Sequence, residues 1–271
     1  MRLSLAHHSV RRFDQPQNRL IQLLRLMPGD TDHQSVVAWH LDVSCDARLR
    51  HGIDGFGNQV TMLYATGPVD AVELTVTGDV LTTPFSGAVT GSAEPLPPIF
   101  YLRTTEATRC TARLGELARD LAGEGDPLDR AHRLSAAIHA GFTFAAVDGR
   151  AHARPASETV EGMSGSTREA AQLFIAAAIC LGLPARFVSG YRAIGDGGAT
   201  LYPHAWAEAH VAGIGWIGFD PEAGESPAET HVRGAIGLDA HGAAFIAEAR
   251  SGDHGTASDV ELTEGDMDGQ G

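Results

Sequence analysis

The stretch Gly165 to Tyr191, GSTREAAQLFIAAAICLGLPARFVSGY, decides the fold. Ala171, Phe174, Ile175, Ala178 and Leu181 recur at helical spacing, and Arg168, Glu169 and Gln172 confine the polar residues to the first turn. That pattern predicts a helix buried inside a core rather than one lying on a surface. Ser166 followed by Glu169 three residues later is a capping box, in which hydroxyl and carboxylate each satisfy an orphan backbone donor. Gly182 stops the helix, with Pro184 just beyond, and ARFVSGY then reads as a strand.

Downstream, a glycine-rich loop at Gly195 to Gly198 precedes HAWAEAHV, His204 to Val211. Strand alternation places His204, Trp206, Glu208 and His210 on one face and three alanines on the other, and such small residues let a helix lie close. Ile214 to Asp220, IGWIGFD, reads as the next strand and ends in Asp220-Pro221. Upstream, Leu114, Leu117 and Leu121 mark one amphipathic helix. A second opens on Asp126 as N-cap with Pro127 at its first position, then buries Leu128, Ala131, Leu134 and Ile138. The segment PASETVEGMSGS before the central helix reads as a loop with one short turn.

Residues 1 to about 90 read as short strands: Val37, Trp39, Leu41 and Val43 alternate with polar or small neighbours, as do Val72, Leu74 and Val76. Met27-Pro28-Gly29 and the run Asp54 to Asn58 mark turns, so a β-sandwich is expected there. Thr83 to Pro98, rich in Pro, Gly and Ser, reads as the connection to the next unit. The expected organisation is a β-sandwich over 1–90, a core over 91–250 and an acidic, Gly-rich tail over 251–271.

A net charge of −14 over 271 residues argues against nucleic acid or an anionic membrane as partner. All 20 basic residues are arginine, so no side-chain amine is present to accept an acyl group in self-crosslinking. The N-terminus, MRLSLAHHSVRRF, lacks the apolar run of a signal peptide, and no stretch is long enough to span a bilayer, which makes the cytoplasm the expected location. Cys45, Cys110 and Cys180 have no metal spacing, and their odd number does not suggest a disulfide framework. Cys180, in the last turn of the buried helix, is expected to be a packing residue. It lies roughly 20 Å along the helix from Thr167.

The chain resembles the bacterial transglutaminase-like proteins, whose fold is related to papain and whose motif runs roughly G-V-C-x-D-x-A-H-L-F-I-A. LFIA matches Leu173 to Ala176, and GLPARFVSGY continues in register through Tyr191. HAWAE at His204 and GWxGFDP ending at Pro221 match the histidine and aspartate motifs, and both are intact. The likeness extends to Pro155 and Glu158, to His231-Val232-Arg233 and to the N-terminal section from Arg19 through DGFGN. It implies an α+β fold: an N-terminal β-sandwich, then a papain-like core with the central helix packed on an antiparallel sheet. The cysteine column, however, falls on Thr167, the acidic position is Glu169 and the histidine position is Gln172.

In the intact arrangement, a thiolate at the helix N-terminus attacks a carboxamide, a histidine shuttles the proton and an aspartate fixes the tautomer. His204 and Asp220 match the last two roles. Thr167 cannot ionise in the thiol's place: with a hydroxyl near the pKa of water, ~15.7, an alkoxide at pH 7 costs about 12 kcal/mol. The resemblance therefore implies a degenerate triad of Thr167, His204 and Asp220 that binds a glutamine- or amide-bearing peptide or protein, with Trp206 and Tyr191 at the ligand. The alternative is an amidase, peptidase or acyl transferase using Thr167 or Ser166 as nucleophile with His204 as base, although Ser166 fits the helix cap better. A third reading is a structural subunit for an active relative. No cofactor is expected, and no metal: His204 and His210 lie too far apart along a strand to share one ion, leaving only a single histidine with Glu208. The oligomeric state is left open.

Overall fold

The computed structural model describes residues 1–145, 153–194, 200–250 and 261–262. The Gly195 to Gly198 loop lies outside these residues, and so does the tail from Gly252 to Gly271 except for 261–262.

The N-terminal unit is built from β1 (Arg2–Leu24), β2 (Gln34–Val43), β3 (Ala47–Ile53) and β4 (Gln59–Thr82), all antiparallel. β1 and β4 are far longer than the short strands the alternation suggests. They run together through the polar stretch RRFDQPQNR at Arg11 to Arg19, where the register shifts twice around Gln17. Pro16 has no N–H to give a ladder, and bulges are where a strand tolerates it and bends. The bend folds the two halves over one another. Leu3 and Leu5 from one half of β1 and Leu20 and Leu24 from the other bury into a single core with Leu63, Val72, Leu74, Val76 and Val80 of β4. β2 covers one half of β4 and β3 the other, the arrangement of a sandwich whose long strands serve both layers. At the β3–β4 turn, the Asp54 carboxylate accepts the backbone N–H groups of Phe56 and Asn58.

The linker contributes β5 (Ala88–Val89) and a 3-10 turn over Pro98–Leu102. Two helices come next, α1 (Ala112–Ala122) and α2 (Pro127–Gly141), the second capped by Asp126, which accepts from Leu128 and Asp129 N–H. After β6 (Thr143–Phe144), the segment expected to be mostly loop is the two-turn helix α3 (Ala156–Gly162), followed by β7 (Ser164–Gly165). Pro155 immediately precedes α3 as its N-cap, and Ala156, Thr159 and Val160 turn inward.

The central helix α4 (Thr167–Cys180) packs on a sheet formed by β8 (Ala185–Ile194), β9 (Thr200–Val211), β10 (Gly215–Phe219) and β11 (His231–Gly237). Phe174 stacks on Phe219 of β10, and Ala205, Ala207 and Ala209 of β9 join the helix in one buried cluster. The fold is thus α+β, a curled antiparallel N-terminal unit followed by a helix-on-sheet core. The ladders connect the two: β9 meets β1 at Ser4, β5 pairs with β10, and β12 (Ile246–Arg250) and β13 (Glu261–Leu262) return to β1.

The cysteines overturn one expectation. Cys180 is not a lone packing residue: it is disulfide-bonded to Cys110, with Cα atoms 5.5 Å apart, leaving Cys45 as the free thiol. The pairing depends on α1 lying against α4, a tertiary fact that spacing across 70 residues does not reveal.

Candidate active site

The tip of α4 is built as a capping box. Ser166 accepts the Arg168 N–H, while the Glu169 carboxylate accepts both the Ser166 N–H, at 3.0 Å, and the Ser166 hydroxyl. The Ser166 hydroxyl, a candidate nucleophile on sequence grounds, is buried and committed to this cap. Glu169 has a second task, accepting the Arg154 N–H at 3.1 Å, and Gln172 donates to the Arg154 carbonyl at 2.8 Å while accepting from Ala240 N–H. The residues at the acidic and histidine positions therefore clamp one residue of the incoming chain on both its polar sides. Burial opposes the charge of Glu169, but its bonds from Ser166 and the Arg154 N–H prevail and hold its carboxyl below the ordinary range.

Thr167 is the first residue of the helix and half-buried. Among the described residues no hydrogen bond joins its hydroxyl to His204. The three cysteines are elsewhere, two in the disulfide and Cys45 in the N-terminal unit.

His204, near the middle of β9, and Asp220, just past β10, meet because β9 and β10 pair side by side. His204 Nε2 donates to Asp220 Oδ2 at 2.7 Å, both side chains buried. Asp220 accepts three more bonds: His231 Nε2 on Oδ2 at 3.2 Å, and the Glu222 and Ala223 N–H groups on Oδ1 at 3.0 and 3.3 Å. Burial alone would raise its pKa, yet the bonds from His204 and His231 outweigh it and hold the carboxyl far below its ordinary value. Asp220 is thus a carboxylate throughout the working range. It fixes the proton of His204 on Nε2 and turns Nδ1 outward, where Glu222 Oε2 stands 3.5 Å away and is itself paired with Arg192 at 3.2 Å.

His204, Asp220 and His231 also bring three candidate ligand atoms within 4.8 Å of one another. The polarity of the surroundings suits hydrogen bonding better than a metal. His231 Nδ1 receives the Ala228 N–H at 3.2 Å, so in the neutral ring the proton sits on Nε2. A metal on Nε2 would need that proton on Nδ1, pointing at another donor, whereas metal-bound histidines give Nδ1–H to an acceptor. The pairing of a single histidine with Glu208 weighed from sequence is also closed, because Glu208 is fully buried between Arg186 and Arg233. Its distances are 2.6 Å to Arg186 Nε and 2.7 Å to Arg233 Nε. Arg186 in turn reaches Glu94 of the linker and lies 3.8 Å over the ring of Trp216.

Of the two aromatic residues expected at the ligand, Trp206 lies beside His204 with ring centroids 6.1 Å apart. It is itself buried, and the small pocket it borders with His33, Phe85, Pro227 and His231 is lined by none of Thr167, His204 and Asp220. Gly190, directly opposite His204 in the ladder, makes room for this indole, since a Cβ there would sit 2.4 Å from it. Tyr191 is sealed in the interior between the units, its hydroxyl 3.2 Å from His7 Nδ1 and its ring stacked on Phe245. His231 and Arg192 escape sequence reasoning because nothing local ties them to His204; the pairing of β8 with β11 sets them opposite one another beside Asp220.

Comparison with known proteins agrees with this fold. Residues 115–221 match the transglutaminase-like superfamily, and residues 3–81 match the bacterial transglutaminase-like N-terminal region. The chain superposes on a Cytophaga hutchinsonii protein provisionally named a cysteine protease, with a TM-score of 0.72, 20% identity and coverage of 100% of this chain and 93% of that one. The periplasmic domain of TgpA from Pseudomonas aeruginosa is a more distant likeness, with a TM-score of 0.39, 16% identity and coverage of 79% and 73%. No curated protein matches the chain. No helix among the described residues is long and apolar enough to cross a membrane.

Proposed function

Because the chain belongs to the transglutaminase-like superfamily, we propose that it retains the cleft and the histidine–aspartate pair but not the thiol chemistry, and binds a peptide or protein ligand. The observation that carries this reading is Thr167 at the helix tip, with no hydrogen bond to His204 and every cysteine elsewhere. A hydroxyl nucleophile needs its base within about 2.6–3.2 Å of the proton. His204 instead presents Nδ1 toward Glu222. That favours the binding reading over an amidase or acyl transferase built on Thr167, and the role of Ser166 as cap counts against its use as nucleophile. The Cys110–Cys180 bond favours an oxidising compartment, where such bonds persist, over the cytoplasm expected from the N-terminal sequence.

The test is an assay of the purified chain for ammonia release from glutamine peptides and for peptide hydrolysis. The binding reading expects no turnover, and turnover abolished by His204→Ala would end it. Incubation with activated esters, followed by intact mass, tests the hydroxyl route: an acyl adduct on Thr167 would establish that route.

A further inference from the structure

We infer that His231 is a positioning residue that acts on His204 through Asp220, holding the carboxylate so that His204 keeps its proton on Nε2 and turns Nδ1 away from Asp220, toward Glu222. The inference takes His204 and Asp220 as the superfamily's pair, and does not depend on whether any turnover remains.

A carboxylate offers about four lone-pair sites, and at Asp220 all four are filled. Oδ1 takes the two backbone N–H groups of the turn just after it, and Oδ2 takes the two histidines. The backbone donors belong to the turn itself, so His231 is the side chain whose removal leaves Oδ2 half-satisfied and free to rotate away from His204. His231 is fitted for the role from behind. Its Nδ1 accepts from Ala228 N–H at 3.2 Å and lies 3.1 Å from the Thr230 hydroxyl, which directs Nε2–H at Asp220. Its ring meets Trp206 edge-on at 5.5 Å and His204 at 5.8 Å, so it is wedged as well as bonded. Burial, against the pull of Asp220, lowers its pKa, and a neutral ring donates without cancelling the charge that Asp220 directs at His204. The charged groups around it are Asp220 itself, Arg192 opposite it on β8 and, beyond, Glu222.

The experiment compares the wild-type chain with His231→Gln, whose amide reaches as Nε2 does, and His231→Asn, which is polar but too short. Nitrogen-15 correlation of the histidine rings, recorded well above the ordinary histidine pKa, reads the His204 tautomer. The same two substitutions placed on Thr167→Cys are read by the rate of iodoacetamide alkylation. Wild type and His231→Gln are expected to hold His204 in the single Nε2–H form. His231→Asn is expected to mix the tautomers and to slow alkylation roughly tenfold, the low end of what losing an outer partner costs a metal-bound histidine. Should His231→Asn not fold, His231→Gln decides, and loss of the Nε2–H form there overturns the inference. It is equally overturned if His231→Asn folds and leaves both tautomer and rate unchanged, which would make His231 a packing residue. A tautomer that responds while the Thr167→Cys thiol stays unreactive in every background supports the role of His231 and instead counts against a retained site geometry at the helix tip.

Discussion

Replacing Glu208 by Gln removes one negative charge from the buried cluster beneath the site and changes almost no volume. In the native chain both oxygens are committed: Oε1 to Arg233 Nε at 2.7 Å, and Oε2 to Arg186 Nε at 2.6 Å and Arg233 Nη2 at 3.1 Å. Burial opposes ionisation, but Arg233 and Arg186 overcome it and bring the carboxyl from 4.5 down to about 2. A difference of that size corresponds to about 3 kcal/mol of stability at neutral pH. It agrees with the lower end of the 3–5 kcal/mol typical of a broken buried pair. The lower end is apt, because Arg186 keeps Glu94 and the amide oxygen can still accept one bond. Since the folded pKa is depressed, this stability is fully present above about 4.5 and fades as pH falls toward 2. Denaturant titrations of both proteins should therefore differ by about 3 kcal/mol at pH 7, with a melting difference of roughly 6–12 °C. By pH 3 the gap should shrink to roughly half. A gap under ~1 kcal/mol at pH 7, or one equally large at pH 3, would refute the reasoning.

The same geometry sets three further outcomes. Denatured, unreduced protein should alkylate at Cys45 alone, and Cys110→Ser should cost about 4 kcal/mol in the loop-entropy estimate; alkylation of all three cysteines without reductant would show that the bond is not formed. Gly190→Ala should lower the melting temperature and perturb Trp206 fluorescence, because the added methyl would meet both the indole and the Val232 carbonyl at 2.4 Å. An unchanged spectrum would mean the two strands separate freely. Ser166→Ala should destabilise by about 1–2 kcal/mol through loss of the helix cap, and a neutral result in chemical denaturation would contradict the buried capping box.

What the sequence reveals is what is local. The capping box at Ser166 and Glu169, the stop at Gly182 and the cap at Asp126 depend on neighbours a few residues away, and each is formed as read. The alternation in HAWAEAHV likewise places the alanines against α4. What stays hidden is set by pairing between distant strands or helices. Glu208 shares a strand face with His204, but its partner Arg186 lies across the ladder on β8, and Arg233 lies on β11. His231 falls within the stretch that resembles the family, yet its bond to Asp220 depends on where β11 sits. Cys110 finds Cys180 only because α1 packs beside α4. The long bent strands are obscured by Arg11 to Arg19, which has no alternation to mark it as sheet.

The most direct test of the account is the pH dependence of alkylation in Thr167→Cys, with Cys45 replaced by Ser so that a single free thiol remains. If the helix tip still faces an organised His204–Asp220 pair, alkylation persists well below the ordinary cysteine pKa of about 8.5 and weakens when His204 becomes Ala. A titration and rate matching free cysteine, indifferent to His204, would contradict the claim that the histidine–aspartate pair still serves the helix tip.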